Sequence, residues 1–284
     1  MRALIVTADD FGLHERVNEA VERAHRHGVL DCASLMTGAP AARDAVERAR
    51  ALPGLRVGLH IVLADGVPTL PAHEIPALVD ADGRFGDRMV RDGCRFFLLP
   101  HVRVQLAREI RAQFEAFAAT GLALDHVNTH KHFHLHPTVL SLILDIGRAF
   151  GLRAMRLPRE LNGSRLLAPW AAWMKARLRR AGVAHNDWVA GISATGRMDE
   201  ATLLALLDHA PEGVLEIYSH PAAGDDAPVT ATMHGYRHAD ELAALCSPRV
   251  ARAMAATGAR RGGFSDVFAN TGHEARVRRS GQCA

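Results

Sequence analysis

The sequence predicts a single-domain α/β protein folded as a (β/α) barrel, seven-stranded or distorted. Three observations lead there. The chain has 284 residues, close to the length of one such domain. Short apolar, β-rich runs alternate with longer helical patterns almost throughout, as in parallel strands joined by helical crossovers. Polar residues then gather at the C-terminal ends of the predicted strands, the face on which such barrels build sites. A flat doubly wound sheet is the alternative. No long linker, low-complexity stretch or internal repeat interrupts the pattern, so residues 1–269 are read as the barrel domain. Residues 270–284, poor in apolar side chains and carrying Arg276, Arg278 and Arg279, are read as a basic C-terminal tail.

Taken in order, Ala3–Ala8 is an apolar run of strand length, and His14–His27 is an amphipathic helix closed by Gly28. Ala33–Met36 and Leu55–Ile61 read as strands around a helix over Ala41–Ala51. Val102–Ala119 has strong helical periodicity and leads into a strand over Leu124–Asn128. Val139–Phe150 is a helix with Pro137 at its start, where a missing N–H costs nothing. A short strand is expected over Ala154–Leu157, helices over Trp170–Ala181, Ala201–His209 and Asp240–Cys246, and a strand over Val214–Tyr218. Phe264–Val267 is expected to add one more strand.

Composition narrows the function classes. Hydrophobic residues make up 48% and charged residues 23%, and the mean hydropathy is -0.02, an ordinary globular profile. The net charge of +3 is small and the cations are dispersed, so nucleic acid is not implied. The four cysteines, Cys32, Cys94, Cys246 and Cys283, form no C-x-x-C pair, which argues against disulfide stapling and a thiolate zinc site. Asp9 and Asp10 interrupt the first apolar run before it reaches signal-peptide length. No stretch approaches the roughly 18 apolar residues of a membrane span. A cytoplasmic protein is therefore expected. The abnormal count is histidine: 17 in all, five of them within His126–His136.

Four segments could carry chemistry. Thr7-Ala8-Asp9-Asp10-Phe11-Gly12 sets two carboxylates at the end of a buried strand, and a turn at Gly12 could swing both toward one pocket. Capping of the next helix is the simpler use for either acid alone. Gly58-Leu59-His60 brings a histidine to the end of another strand. In Asp125-His126-Val127-Asn128-Thr129-His130-Lys131-His132-Phe133-His134-Leu135-His136-Pro137, period-2 spacing puts His126, Asn128 and His130 on one side. So many buried imidazoles need partners, and some are expected to orient others rather than ligate. Glu216-Ile217-Tyr218-Ser219-His220-Pro221 ends a fourth strand in a histidine. A carboxylate and two imidazoles with open positions make a plausible catalytic divalent-metal site, with Asp9 and His220 available for proton traffic.

These motifs, in this order and spacing, resemble those of the YdjC-like carbohydrate deacetylases over most of the chain, from about Arg2 to Phe268. The resemblance implies a (β/α) barrel related to polysaccharide deacetylases, and removal of acetyl groups from N-acetylated sugars with one divalent metal ion, Zn²⁺ or Mg²⁺. Carried over by position, it implies Asp10, His60 and His130 as metal ligands, Asp9 as general base and His220 as the acid for the leaving amine. Arg156 would orient a carboxylate by a forked hydrogen bond. His126, His132, His134 and Asn128 would support the site. Asn128 stands where some members carry Asp, and Lys131 where some carry His. The chain is most similar to the hopanoid-biosynthesis members, which implies an N-acetylglucosaminyl lipid as one substrate branch. The apolar Arg95–Pro100 segment and the Leu166–Trp173 run, followed by Arg177, Arg179 and Arg180, would then give peripheral contact with the inner face of a membrane. Helices packed on the barrel are the simpler account of both. A homo-oligomer is left open.

Two rival readings remain. A phosphoesterase on the same scaffold would need a cationic phosphate clamp; Arg156 and Arg159 are available, but there is no glycine-rich phosphate loop. A non-catalytic metal- or sugar-binding protein would use the His-rich loop but leaves Asp9 and Asp10 without a purpose.

Overall fold

A computed structural model describes residues 1–161, 163, 167–225 and 227–269. The elements run β1 (Ala3–Phe11), α1 (Glu15–His27), β2 (Cys32–Leu35), α2 (Ala42–Arg50), β3 (Arg56–Ile61), α3 (Met89–Leu98), α4 (Pro100–Ala119) and β4 (Leu124–Thr129). They continue with α5 (Pro137–Gly147), α6 (Ala168–Arg180), β5 (Trp188–Ala190), α7 (Glu200–Asp208), β6 (Val214–Ser219), α8 (His238–Leu245), α9 (Pro248–Ala256), β7 (Arg260–Arg261) and α10 (Phe264–Phe268). The strands form one parallel sheet in the order β4-β3-β2-β1-β6-β5, with the short β7 also paired to β1. This is the expected parallel α/β barrel in its distorted form. The expected tail, 270–284, lies outside the described residues, as does Leu166.

Side-chain alternation sorts the strands into two faces. Leu4, Val6 and Ala8 of β1, Ala33 and Leu35 of β2, and Val57, Leu59 and Ile61 of β3 join the main core under the helices. Ala3, Ile5 and Cys32 face inward instead, onto Phe264 and Val267 of α10, which plugs the N-terminal end of the barrel. Higher in the interior the rows turn polar: Thr7 and Asp9, Ser34, His60, Asn128 and Glu216, all buried.

The distortion lies between β4 and β5. The expected strand Ala154–Leu157 does not form a ladder; single bridges join Val127 to Met155, Ala154 to Ala184 and Glu160 to Val189. Pro158 has no N–H to give a ladder, and the Asn186 side chain takes the place of a strand beside it. That amide accepts from the Leu157 N–H and donates to the Leu157 carbonyl. Phe264–Val267 is a second correction, being helix α10 rather than a strand. Its orphan N–H groups decide this: Asp125 accepts from those of Phe264 and Ser265, and Asp266 accepts from that of Gly263. Helix α9, the first half of α3 and strands β5 and β7 are elements the sequence pattern did not reveal.

Candidate active site

Asp9 and Asp10 reach the same pocket by a backbone device. Asp9 continues the inward row of Thr7, so in a regular strand Asp10 would face the helices. Asp10 instead adopts φ 61, in the left-handed region, and the β1–β2 register shifts between Ala8 and Phe11. Such a bulge re-aims one side chain. The expected turn at Gly12 follows with φ 96, but the swing occurs at Asp10 itself. The His-rich segment bends similarly: after β4, Lys131 and His132 both take φ 53.

His60 from the end of β3 and His130 just after β4 meet Asp10. Asp10 Oδ1 lies 3.3 Å from His60 Nε2 and 3.1 Å from His130 Nδ1, and the two nitrogens are 3.4 Å apart. Donors around a tetrahedral ion with bonds of 2.0–2.1 Å are spaced by about 3.3 Å. The other Asp10 oxygen is buried without a partner. Burial disfavours charge on His130, yet the Asp10 and Asp65 carboxylates raise its pKa to about 9. Donor spacing, an unsatisfied carboxylate oxygen and a local preference for positive charge all fit a divalent cation. Cys32, Asp125 and His126 also lie close together, but both His126 ring nitrogens and both Asp125 oxygens already have protein partners. That second group fits no ion.

Asp9 is held from two sides. Arg156, buried completely, donates from Nη1 to Asp9 Oδ2 (2.6 Å) and from Nη2 to Asp9 Oδ1 (3.0 Å). The same guanidinium donates three further bonds to Glu216 and lies 4.4 Å over the Tyr218 ring. Burial pushes the Asp9 carboxyl up, but Arg156, His60 and His220 more than reverse this and hold it well below the usual carboxylate range. The expected forked bond of Arg156 is present, and it is double.

His220 follows β6 with Nε2 3.9 Å from Asp10 Oδ2 and a buried, unpartnered Nδ1. Burial lowers its pKa against the opposing pull of Asp10 and Asp9. Its backbone N–H donates to Glu241, which burial raises to about 7.

The remaining histidines divide. His132 Nε2 bonds the Tyr218 hydroxyl, and His134 bonds Thr129 Oγ1 and the Arg156 carbonyl. Burial lowers the pKa of both. Asn128 touches Asp9 and His60 directly. His126 lies deeper, stacked on Phe264 with ring centroids 4.6 Å apart.

The pocket over this cluster is lined by Asp9, His60, His130, Lys131, His132, Tyr218, His220, Met233 and Tyr236, among others. It is a small, partly open cavity of about 120 Å³ directly above the donor cluster. Sequence reasoning missed Glu216, Tyr236 and the rim pair Lys131–Asp65 (2.7 Å). Glu216 and Tyr218 had a signal, the inward i, i+2 spacing on β6; Tyr236 sits in a loop without one.

The chain is 32% identical over 246 residues to a carbohydrate deacetylase of Brevibacillus brevis, covering 85% of this chain and 90% of that protein. It is 32% identical over 272 residues to a chitooligosaccharide deacetylase of Yersinia pestis, covering 93% and 99%. Among solved structures it is similar to an Enterococcus faecalis protein provisionally described as a cellobiose-phosphate cleavage protein. The TM-score is 0.76 at 25% identity, covering 94% of this chain and 98% of that one. A model of the YdjC-like proteins matches residues 3–256, and the chain belongs to that family.

Proposed function

We propose that the protein is a metal-dependent N-deacetylase that releases acetate from an N-acetylglucosamine-type sugar. The observation that carries this reading is the triangle of Asp10, His60 and His130 donors beside the pinned Asp9, at the floor of a small pocket. The deacetylases among its relatives support the same reaction. A divalent ion held by Asp10, His60 and His130 would supply Lewis acidity for amide hydrolysis.

The chain's own groups do the rest. Arg156 keeps Asp9 ionised and fixed, so the carboxylate is a positioned acceptor for the attacking water, its basicity lowered by the same ion pair. His220, across the pocket, is placed to donate a proton to the departing sugar nitrogen. The Tyr236 hydroxyl, raised by burial to about 12, stays protonated and can donate to the substrate. Lys131, paired with Asp65, lines the pocket beside His130 and is available to contact the sugar.

The phosphoesterase reading needs a free cation to clamp a phosphate. Among the described residues Arg156 is saturated by carboxylates, Lys131 is paired with Asp65, and Arg159 stacks on Trp188 at 3.8 Å. A purely binding protein gives no reason for an ionised Asp9 held in the pocket beside the donor triangle.

A lipid-linked substrate, such as an N-acetylglucosaminyl hopanoid, is the finer branch. Val90, Phe97, Leu98 and Val104 on α3 and α4, and Leu167 and Trp170 by α6, are large apolar side chains left exposed. Both groups flank the turn that carries His130: Phe97 lies against His136 (6.4 Å between centroids), and Trp170 Nε1 donates to the Leu135 carbonyl. No helix among the described residues is long and apolar enough to cross a membrane, so contact there would be peripheral.

The test is mass spectrometry for replacement of one acetyl group by hydrogen, across N-acetylglucosaminyl lipids and chitooligosaccharides, with zinc or magnesium. Asp9→Asn should keep zinc affinity within a few-fold and lose acetate release. No turnover on any acetylated sugar, or full activity of Asp9→Asn, overturns the reading.

A further inference from the structure

Below the pocket a line of buried side chains runs from the plugged end of the barrel to His60, and with both imidazoles neutral its hydrogens allow one consistent assignment. Asp125 is the anchor. As a carboxylate it only accepts, and it takes bonds from His126 Nδ1 (2.8 Å), the N–H groups of Phe264 and Ser265, and the Ser265 hydroxyl. With Nδ1–H committed to Asp125, His126 Nε2 is the ring's acceptor and takes the Ser34 hydroxyl hydrogen (3.0 Å). Ser34 Oγ is then free to accept from Asn128 Nδ2 (2.8 Å). The same Nδ2 donates to Asp9 Oδ1 (3.0 Å). Two acceptors on one side of the amide turn its carbonyl the other way, where Oδ1 accepts from His60 Nδ1 (2.6 Å). His60 is left with a bare Nε2, and that atom faces Asp10 and His130.

We propose that Asn128 is the positioning residue that fixes His60 in its Nδ1–H tautomer, and that the Asp125–His126–Ser34 line and Asp9 together hold the Asn128 amide in the orientation this requires. The geometry also explains why an amide stands at this position. A carboxylate there would still accept from His60, but its second oxygen would face Asp9 Oδ1 at 3.0 Å with no hydrogen between them. The amide thus serves two groups of opposite need, an imidazole that must donate and a carboxylate that must accept. Partners of this kind set both tautomer and orientation of ligating histidines.

The link to zinc rests on the metal-site reading above, whereas the tautomer does not. Long-range ¹H–¹⁵N correlation spectra of the metal-free, histidine-labelled full chain read the tautomer directly, and calorimetric titration with zinc alone reads affinity. In the unaltered protein His60 should show a protonated Nδ1 and a bare Nε2. Asn128→Ala should give mixed tautomers and raise the zinc Kd about tenfold or more. Ser34→Ala removes a single hydroxyl and is the variant to read if Asn128→Ala does not fold; it should move the His60 shifts in the same direction by less. A protonated Nε2 in the unaltered chain overturns the proposal. So do unchanged His60 shifts in a folded Asn128→Ala protein, or in Ser34→Ala where that is the only folded variant.

Discussion

Removing Arg156 should damage the fold as well as the chemistry, and the size of the loss follows from its surroundings. The guanidinium is fully buried between Asp9 and Glu216, with five donor–acceptor contacts of 2.6–3.0 Å to their carboxylates. The three groups together carry a net charge of −1, and Arg156→Met leaves −2 in the same buried space. Breaking a buried ion pair by deleting one partner costs about 3–5 kcal/mol, chiefly through the charge left behind. The upper half of that range applies here, because two carboxylates lose one cation. Urea unfolding at neutral pH should register this as a midpoint lowered by about 1–2 M. The sharper readout is a double-mutant cycle with Glu216→Gln. In the unaltered protein that change weakens a satisfied pair and should destabilise. In the Arg156→Met background it deletes an uncompensated charge and should stabilise. If Glu216→Gln has the same sign in both backgrounds, the three residues are not the coupled unit described. Retention of stability within about 1 kcal/mol by Arg156→Met would mean that the loss of a buried partner is relieved some other way.

Two further outcomes test the interior away from the pocket. Burial raises the Asp31 carboxyl from 3.8 to about 6 despite its bond from Arg261. Between these values the folded state binds more protons than the unfolded one, so stability should fall as pH rises from about 4 to 6. It should then level off, the whole step being about 3 kcal/mol. Urea midpoints against pH should show this step in the unaltered protein and not in Asp31→Asn; equal slopes in both would refute the assignment. Gly58→Ala should destabilise by about 1–3 kcal/mol through overpacking. An added Cβ would stand 2.5–2.6 Å from three atoms of the His126 ring, which Asp125, Ser34 and Phe264 prevent from yielding. An unchanged unfolding midpoint would show that the ring can move.

What could be read from the sequence, and what could not, divides along a physical line. Strand ends are legible in combination: capping or a satisfied core histidine accounts for any one of Asp9, His60 and His220, but not for several buried runs ending in Asp or His on one rim. The rows beneath them follow the same period of two: Thr7 and Asp9, Cys32 and Ser34, Gly58 and His60, His126 and Asn128, Glu216 and Tyr218 each face the barrel axis. That period says which residues share the interior but not which of them touch. Ser34 lies 92 positions from His126 and 94 from Asn128, and only the curl of the sheet across β2, β3 and β4 brings them together. The left-handed Asp10 was hidden for a different reason: Asp enters that conformation more readily than most residues but still rarely, and it persists because its surroundings impose it. The helix at Phe264 was hidden because the carboxylate that caps it, Asp125, belongs to another strand. In each case the missing information concerns pairing between distant segments rather than local preference. The parts of the site that would do chemistry are local and recur at strand ends, whereas the parts that aim them are distributed through the barrel. A change at Ser34 or Asp125, neither of which lines the pocket, should therefore register at the His60 ring while leaving every residue in the recognisable motifs intact.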